Sequence, residues 1–297
     1  MSVLKVPEAV PSRIQGIYRY LLQTKGQREK KETLGKVISP DQLVHQDKQS
    51  ERPMFEKCLN ECFKCGLLIE EKYEDKVEIL INPGLPEQAR DRKKGDSLLP
   101  NTLANLFFAS DNDKQDEDLG LVCAWYLAQD IYQSPSNWEQ IQKQISKQQV
   151  GNFLNNTNDT RHGQMDYWMS YLGLAWGHAL NKKRVTIPDP TVYLKRNLSY
   201  LFDQKGETIL LREFIKRLAQ HCTLFETGHF REEIEQKIGQ RDTNYLSTTT
   251  AFALFRLQDE GYIKLDRKSD AELMLLPKAN NKIDDEGKIS HITYLGG

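Results

Sequence analysis

The sequence lacks most of what would carry a chain out of the aqueous phase. No apolar run approaches the ~20 residues needed to span a bilayer, and the start Met1-Ser2-Val3-Leu4-Lys5-Val6-Pro7 has neither the basic end nor the apolar stretch of a signal peptide. A cytoplasmic protein with no membrane partner is expected. Cysteine is scarce, five in 297 residues without an even spacing framework, which argues for reduced thiols rather than a disulfide scaffold. Charge of one sign is not in excess either: 41 Lys and Arg stand against 42 Asp and Glu. That balance removes the positive field of an avid, stand-alone DNA binder and leaves nucleic-acid contact to local patches or to a larger assembly. Phosphate-cradling glycine loops, dinucleotide fingerprints, nucleophile elbows and zincin motifs are all missing. A spatially assembled site escapes such a scan, but the expectation is a binding protein, not an enzyme, with no cofactor.

What is present is a globular mixture, 28% charged and 38% hydrophobic, long enough for two or three domains of the usual ~100 to 150 residues. Ile14, Ile17, Tyr18, Leu21 and Leu22 recur at helical spacing behind Pro11-Ser12. Lys25-Gly26-Gln27 breaks that helix, and a short second one follows through Leu34, Val37 and Ile38 before Ser39-Pro40-Asp41. After a polar loop at 45–52, a third helix from Pro53 carries Met54, Phe55, Cys58, Leu59, Cys62 and Phe63 inward, with Gly66 placed for a left-handed cap. The pattern then turns to strand: Leu67-Leu68-Ile69, a charged tip at 70–76, and Val77 to Ile81 before Asn82-Pro83-Gly84. Three helices and a hairpin predict a winged helix over 1–84.

The same layout is expected again near the other end, over 206–277. Its first helix is read at Leu210 to Leu218 and its second at Phe230 to Ile238; its third is capped by Ser247 and ends at Gly261. The wing strands are read at 262–265 and 271–276 around a tip at 266–270. With Gly66 placed on Gly261, Leu59 and Leu254 both lie seven residues before the glycine, and both return strands begin ten or eleven after it. This internal repeat makes a chance match less credible. Between the modules, 98–202 is read as an all-helical middle domain, with helices at 103–109, 119–131, 138–150, 165–180 and 193–202 and all four tryptophans. Residues 84–100 and 181–190 are read as linkers, and 278–297 as a tail with a turn at Asp285-Glu286-Gly287 between two short strands. The fold class expected is mainly α with small β-hairpins.

Cys58, Cys62 and Cys65 share one helix, yet a zinc site wants a fourth ligand and a looped knuckle; His45 is a candidate recruit, but these positions continue the helix's inner stripe, so buried thiols are the better reading and no metal is expected. The acidic run from Asp111 to Asp118 has Asp116 where a calcium loop demands glycine, and is read as a solvated loop. His162 and His178 show no partner at metal or triad spacing. The candidate nucleic-acid contacts are Lys57, Asn60 and Lys64 on the third helix with Lys72 and Lys76 on its wing, and Arg256, Lys264, Arg267 and Lys268 in the second module. Glu56, Glu61, Glu70, Glu71 and Glu74 share the first module and Asp259, Glu260 and Asp266 the second, so protein docking competes with DNA reading.

Ser2-Val3-Leu4, then Val10-Pro11-Ser12-Arg13-Ile14 with Tyr18-Arg19-Tyr20-Leu21, and the central Ala124-Trp125-Tyr126-Leu127-Ala128-Gln129-Asp130 resemble the DpdG family over most of the chain. That family belongs to bacterial gene clusters that place 7-deazaguanine derivatives in DNA and restrict DNA lacking them. The resemblance implies a non-enzymatic accessory subunit working beside helicase- and nuclease-like partners, and it transfers no functional residues. The alternative from the residues alone is a winged-helix transcriptional regulator whose middle domain binds an effector or dimerises.

Overall fold

The computed structural model describes residues 2–43, 52–73, 76–110, 115–154, 158–180 and 183–296. The chain is mainly helical with small antiparallel sheets and divides into two compact units, 1–107 with 112–117, and 108–111 with 118–297.

In the first unit, α1 (Pro11–Gln23) starts with proline at its first turn and buries Ile14, Ile17, Tyr18, Leu21 and Leu22. Gly26, at φ 69°, turns the chain into β1 (Arg28–Lys30), and α2 (Lys31–Ile38) follows without a loop. α3 (Pro53–Lys64) buries Phe55, Cys58, Leu59 and Cys62. The hairpin β2 (Leu68–Tyr73) and β3 (Lys76–Ile81) is antiparallel, and β1 joins the free side of β3 to give the order β1-β3-β2. The three helices and the hairpin fall where the sequence puts them, while β1 was not expected. Residues 44–51 and 74–75, which hold His45, most of the segment read as a polar loop and Glu74 of the charged tip, lie outside the described residues.

The segment read as the first linker is not free. Tyr18 donates its hydroxyl to the Ala89 carbonyl at 2.6 Å, and the Gln23 amide donates to the Arg92 carbonyl at 2.9 Å, so 85–94 lies back along α1. A Cβ on Gly95 would sit 2.2 Å from the Ala89 oxygen, which is why the turn into α4 (Gly95–Phe108) takes glycine. The ion pair of Arg19 with Asp96, at 2.9 Å, ties that helix start to α1.

The second unit opens with α5 (Glu117–Leu127), buried on every side from Leu119 onward. Next come α6 (Trp138–Gln148) and α7 (Gly151–Leu154), and then α8 (Asp159–Leu172); Asn137 and Asn158 cap α6 and α8. The sequence reading continues a helix to Leu180 and then a linker. Instead Gly173, at φ 81°, ends α8, and β4 (Trp176–Leu180) pairs with β5 (Lys183–Ile187) as a hairpin. A short apolar stretch such as Trp176 to Leu180 has no periodicity to separate strand from helix, and the left-handed glycine decides it.

From there the order is α9 (Thr191–Leu201), β6 (Thr208–Leu210), α10 (Leu211–His221), α11 (His229–Ile238), α12 (Thr248–Asp259), β7 (Ile263–Asp266), β8 (Met274–Leu275), β9 (Lys288–Ile289) and β10 (His291–Tyr294). β7 pairs with β10, not with 271–276, and the sheet order is β6-β10-β7. β8 pairs with β9 in a separate two-stranded ribbon. The return strand therefore comes from the segment read as a tail, because residues 267–290 loop out between the two strands.

With that strand in place, the internal repeat is longer than the sequence suggests. The element starts at 11, 28 and 31 recur at 191, 208 and 211, and Lys25-Gly26 recurs as Lys205-Gly206 with both glycines at positive φ. α3 and α12 are both 12 residues long. Gly66 and Gly261 share φ 78°. The Gly66 and Leu67 amides donate to Phe63 and Cys62, and those of Gly261 and Tyr262 donate to Gln258 and Leu257. This is one and the same Schellman cap made twice. Past each cap, Leu68 pairs with Ile81 and Ile263 with Tyr294. The first helix of the second copy is thus α9, which the sequence reading left in the middle domain; α10 is its second helix, and α11 is an addition.

Candidate nucleic-acid interface

Lys57, Asn60 and Lys64 recur at three and four residues along α3 and are all exposed, as helical spacing requires of one outer stripe. Pro53 and Met54, the latter 47% accessible, leave the first turn of the helix open to solvent. Each lysine on this stripe has a carboxylate at hand. Lys57 Nζ lies 2.7 Å from Glu8, whose carboxyl it holds below the usual range, and Lys64 Nζ lies 2.6 Å from the buried Glu61. On the hairpin Lys72 pairs with Glu70 at 3.3 Å, while Arg28 on β1 spans Glu71 and Glu78. Lys76 opens β3 and joins Lys30, Lys31 and Arg52 around a groove of about 390 Å³ that also holds Glu32 and Glu56. Phosphate arriving here exchanges one anion for another, a weaker event than meeting bare cations.

The second copy presents a different face. Ser247 caps α12, but Thr248, Thr249 and Thr250 of its first turn are buried. Thr249 donates to the Leu127 carbonyl at 2.6 Å, Thr248 accepts from the Ile131 amide at 3.0 Å, and Ser247 and Thr250 both donate to Glu226. The end of the helix that would enter a groove first is thus covered by the chain's own α5 and the loop after it. Arg256 is exposed but bound to Asp189 at 2.8 Å and Glu260 at 3.2 Å. Lys264 pairs with Asp266 at 2.8 Å and Arg267 reaches Asp285 at 3.8 Å. Lys268 is exposed, and its amide donates to Ser290. The structure therefore sets Lys57, Asn60 and Lys64 on one exposed stripe of α3, puts Lys72 and Lys76 on opposite faces of the β2–β3 hairpin, and holds the second four on or beyond a helix whose leading turn is closed.

The remaining candidates resolve into packing. Cys58, Cys62 and Cys65 are buried free thiols, all pushed above the ordinary thiol range by burial, Cys58 to about 11. Among the described residues no group of three His, Cys, Asp or Glu is gathered as a metal site needs. Of the acidic run, 111–114 lie outside the described residues. Asp116 is buried, not solvated, and accepts from the Val3 amide at 2.8 Å. His162, read as lacking a partner, lies 3.5 Å from Asp166 one turn later and against the Trp138 ring.

The sequence reading missed a buried ionic cluster. Glu226 meets Arg241 at 2.9 Å, and Glu235 meets both Arg231 and Arg241 at 2.7 Å. Burial alone would raise the Glu226 carboxyl, but the charges of Arg241 and Arg231 with the hydroxyls of Ser247 and Thr250 outweigh it and hold the carboxyl at about 2. Arg231 and Glu235 at i,i+4 were the available signal, hidden because such spacing is ordinary on solvated helices.

The architecture is mainly helical and repeats one unit of helix, strand, helix, helix and paired strands, with the first turn of the third helix exposed in one copy and buried in the other. The chain belongs to the DpdG-like family, whose model matches residues 1–271. Membership points to a role in a DpdG-associated modification system. Comparison with curated proteins and with solved structures gives no match. Among the described residues no helix is long and apolar enough to cross a membrane.

Proposed function

We propose that both repeated units are winged helices and that the chain is a non-enzymatic, cytoplasmic accessory subunit of a bacterial DNA-modification and defence system. In this reading α3 and the β2–β3 hairpin form the working end, docking a partner protein and touching the DNA backbone, while the second copy is a scaffold. The observation that carries it is the asymmetry of the two third helices: the first turn of α3 is open at Met54, and that of α12 is buried at Thr248, Thr249 and Thr250. Support for the winged-helix assignment comes from β1 and β6, each of which extends its hairpin into a three-stranded sheet directly before the second helix. Lysines already paired to Glu8, Glu61 and Glu70 suit a subunit that adds weak backbone contact to affinity supplied by partners.

The test is co-purification with the products of neighbouring genes, joined to duplex binding over a salt series. Partner capture with salt-sensitive, sequence-independent DNA binding is expected. Capture of none of those products together with salt-insensitive or absent DNA binding overturns the reading, and tight binding of one operator by a symmetric dimer replaces it with a transcriptional regulator.

A further inference from the structure

The segment that the sequence presents as a linker is a fixed, positively charged ledge that the α3 face does not use. Its backbone is pinned to the end of α1: the Ala89 carbonyl accepts from Tyr18 at 2.6 Å, the Arg90 carbonyl from the Gln27 side chain, and the Arg92 carbonyl from the Gln23 side chain at 2.9 Å. The Asp91 carboxylate turns to its own chain, accepting from the amides of Lys94 at 2.7 Å and Lys93 at 2.9 Å, and those donors hold it below the usual carboxyl range. Arg92 donates from Nη2 to the Thr24 carbonyl at 3.0 Å, which sets it beside Lys25 at the end of α1.

The cations on this frame are bare. Lys25, Arg92, Lys93 and Lys94 are exposed and Arg90 is half-buried, and among the described residues none of them has a carboxylate within ion-pair distance. Against them stand Asp91, turned to the backbone, and Glu87; Asp96 is already engaged by Arg19 and Gln15. The excess is positive. Lysines of α3 and its hairpin differ, since Glu8, Glu61 and Glu70 accompany Lys57, Lys64 and Lys72.

What the ledge lacks narrows the partner. Protein interfaces are anchored by aromatic and apolar side chains and are poor in lysine, whereas here Leu85 and Ala89 are buried and no exposed large hydrophobic side chain lies within 23–28 or 83–97. An acidic protein would meet charge with nothing to seal the contact. A single strand would lack a ring for its bases, because Tyr18, whose hydroxyl holds the segment, is enclosed. Duplex phosphates need neither feature, since lysine and arginine neutralise them whatever the sequence.

We propose that Lys25, Arg90, Arg92, Lys93 and Lys94 form a second phosphate-contact surface, which holds the backbone of duplex DNA without reading its sequence. The choice of DNA rests on the function proposed above, while the contact itself is independent of the winged-helix assignment. Because the backbone of 89–94 is already fixed, little ordering is left to be done on binding, and cations without partners meet phosphate with no carboxylate to displace first. Full duplex binding then draws on both surfaces, α3 with its hairpin and the ledge.

The experiment titrates the full chain with a labelled DNA duplex over a salt series, with an oligothymidine of equal length beside it. The side chains of Lys25, Lys93 and Lys94 make no hydrogen bond among the described residues, so their replacement leaves the fold its contacts. Lys25→Glu, Lys93→Glu and Lys94→Glu together are expected to weaken duplex binding about ten-fold and to flatten the slope of log affinity against log salt by about two, with capture of partner proteins unchanged. Lys25→Arg, Lys93→Arg and Lys94→Arg together are expected to keep both affinity and slope. Duplex binding unchanged in the glutamate variant but lost on reversal of Lys57, Lys64, Lys72 and Lys76 overturns the ledge and leaves the α3 proposal standing; the opposite pair of results does the reverse. Tighter binding of oligothymidine than of duplex also overturns the ledge as a duplex surface, as does loss of a partner protein in the glutamate variant with duplex binding intact.

Discussion

Thr249 donates its hydroxyl to the carbonyl of Leu127 across 2.6 Å, joining the first turn of α12 to the last residue of α5. Leu127 is at a helix C-terminus, where carbonyls have no partner within the helix, so the threonine satisfies an acceptor that burial would otherwise leave bare. Thr249→Val keeps the shape and removes the donor. Its cost is expected at about 1–3 kcal/mol in urea unfolding, and the proposed scaffold role of α12 predicts no change in DNA or partner binding.

The two left-handed glycines should respond alike. A Cβ at Gly261 meets nothing within 4 Å and one at Gly66 meets only Asn82 at 3.8 Å, so alanine costs backbone conformation and not space. Gly66→Ala and Gly261→Ala are each expected to lose about 1 kcal/mol in denaturant unfolding, with asparagine milder at both. A loss at one position only would mean that the caps are not equivalent.

Glu226 gives the second unit an acid limb. Its folded carboxyl titrates at about 2 against an ordinary 4.5. A depressed carboxyl stabilises the fold above its unfolded value, and that contribution fades as pH falls from about 4.5 through about 2. Glu226→Gln leaves Arg231 and Arg241 short of a counter-charge. It is expected to cost about 3–5 kcal/mol at neutral pH and to flatten stability between pH 4.5 and 2, read by chemical unfolding at a series of pH values.

Local signals carried the first unit. Proline at the start of α1 and α3, the three-four spacing of Ile14, Ile17, Tyr18 and Leu21, and Gly66 before an apolar strand place every helix of that copy within a few residues. The second copy was half legible, since Ser247 and Gly261 bound α12 as expected. Its insertions defeated the rest: α11 falls between α10 and α12, and 267–290 separates β7 from β10, so matching by distance from one glycine chose α10 as the first helix and 271–276 as the return strand. No local pattern announces that Thr208, Ile209 and Leu210 pair with Thr293, Ile292 and His291, because that pairing is settled only when the sheet closes. The candidate lysines and arginines were legible as types and positions. Their neutralisation was less so, since Glu8 meets Lys57 and Asp189 meets Arg256 across long stretches of chain. The burial of the α12 first turn was not legible at all, because a run of Ser-Thr-Thr-Thr gives no sign of being covered.

The account rests on the open α3 face being the working end, and duplex titration over a salt series with two sets of charge reversals tests it most directly. Lys57→Glu, Lys64→Glu, Lys72→Glu and Lys76→Glu together are expected to abolish salt-sensitive duplex binding or, where the partner supplies the affinity, to release the partner. Arg256→Glu, Lys264→Glu, Arg267→Glu and Lys268→Glu together should change both by less than about two-fold, since side chains outside a contact alter little. The reverse outcome, binding lost with the second set and kept with the first, would contradict the account.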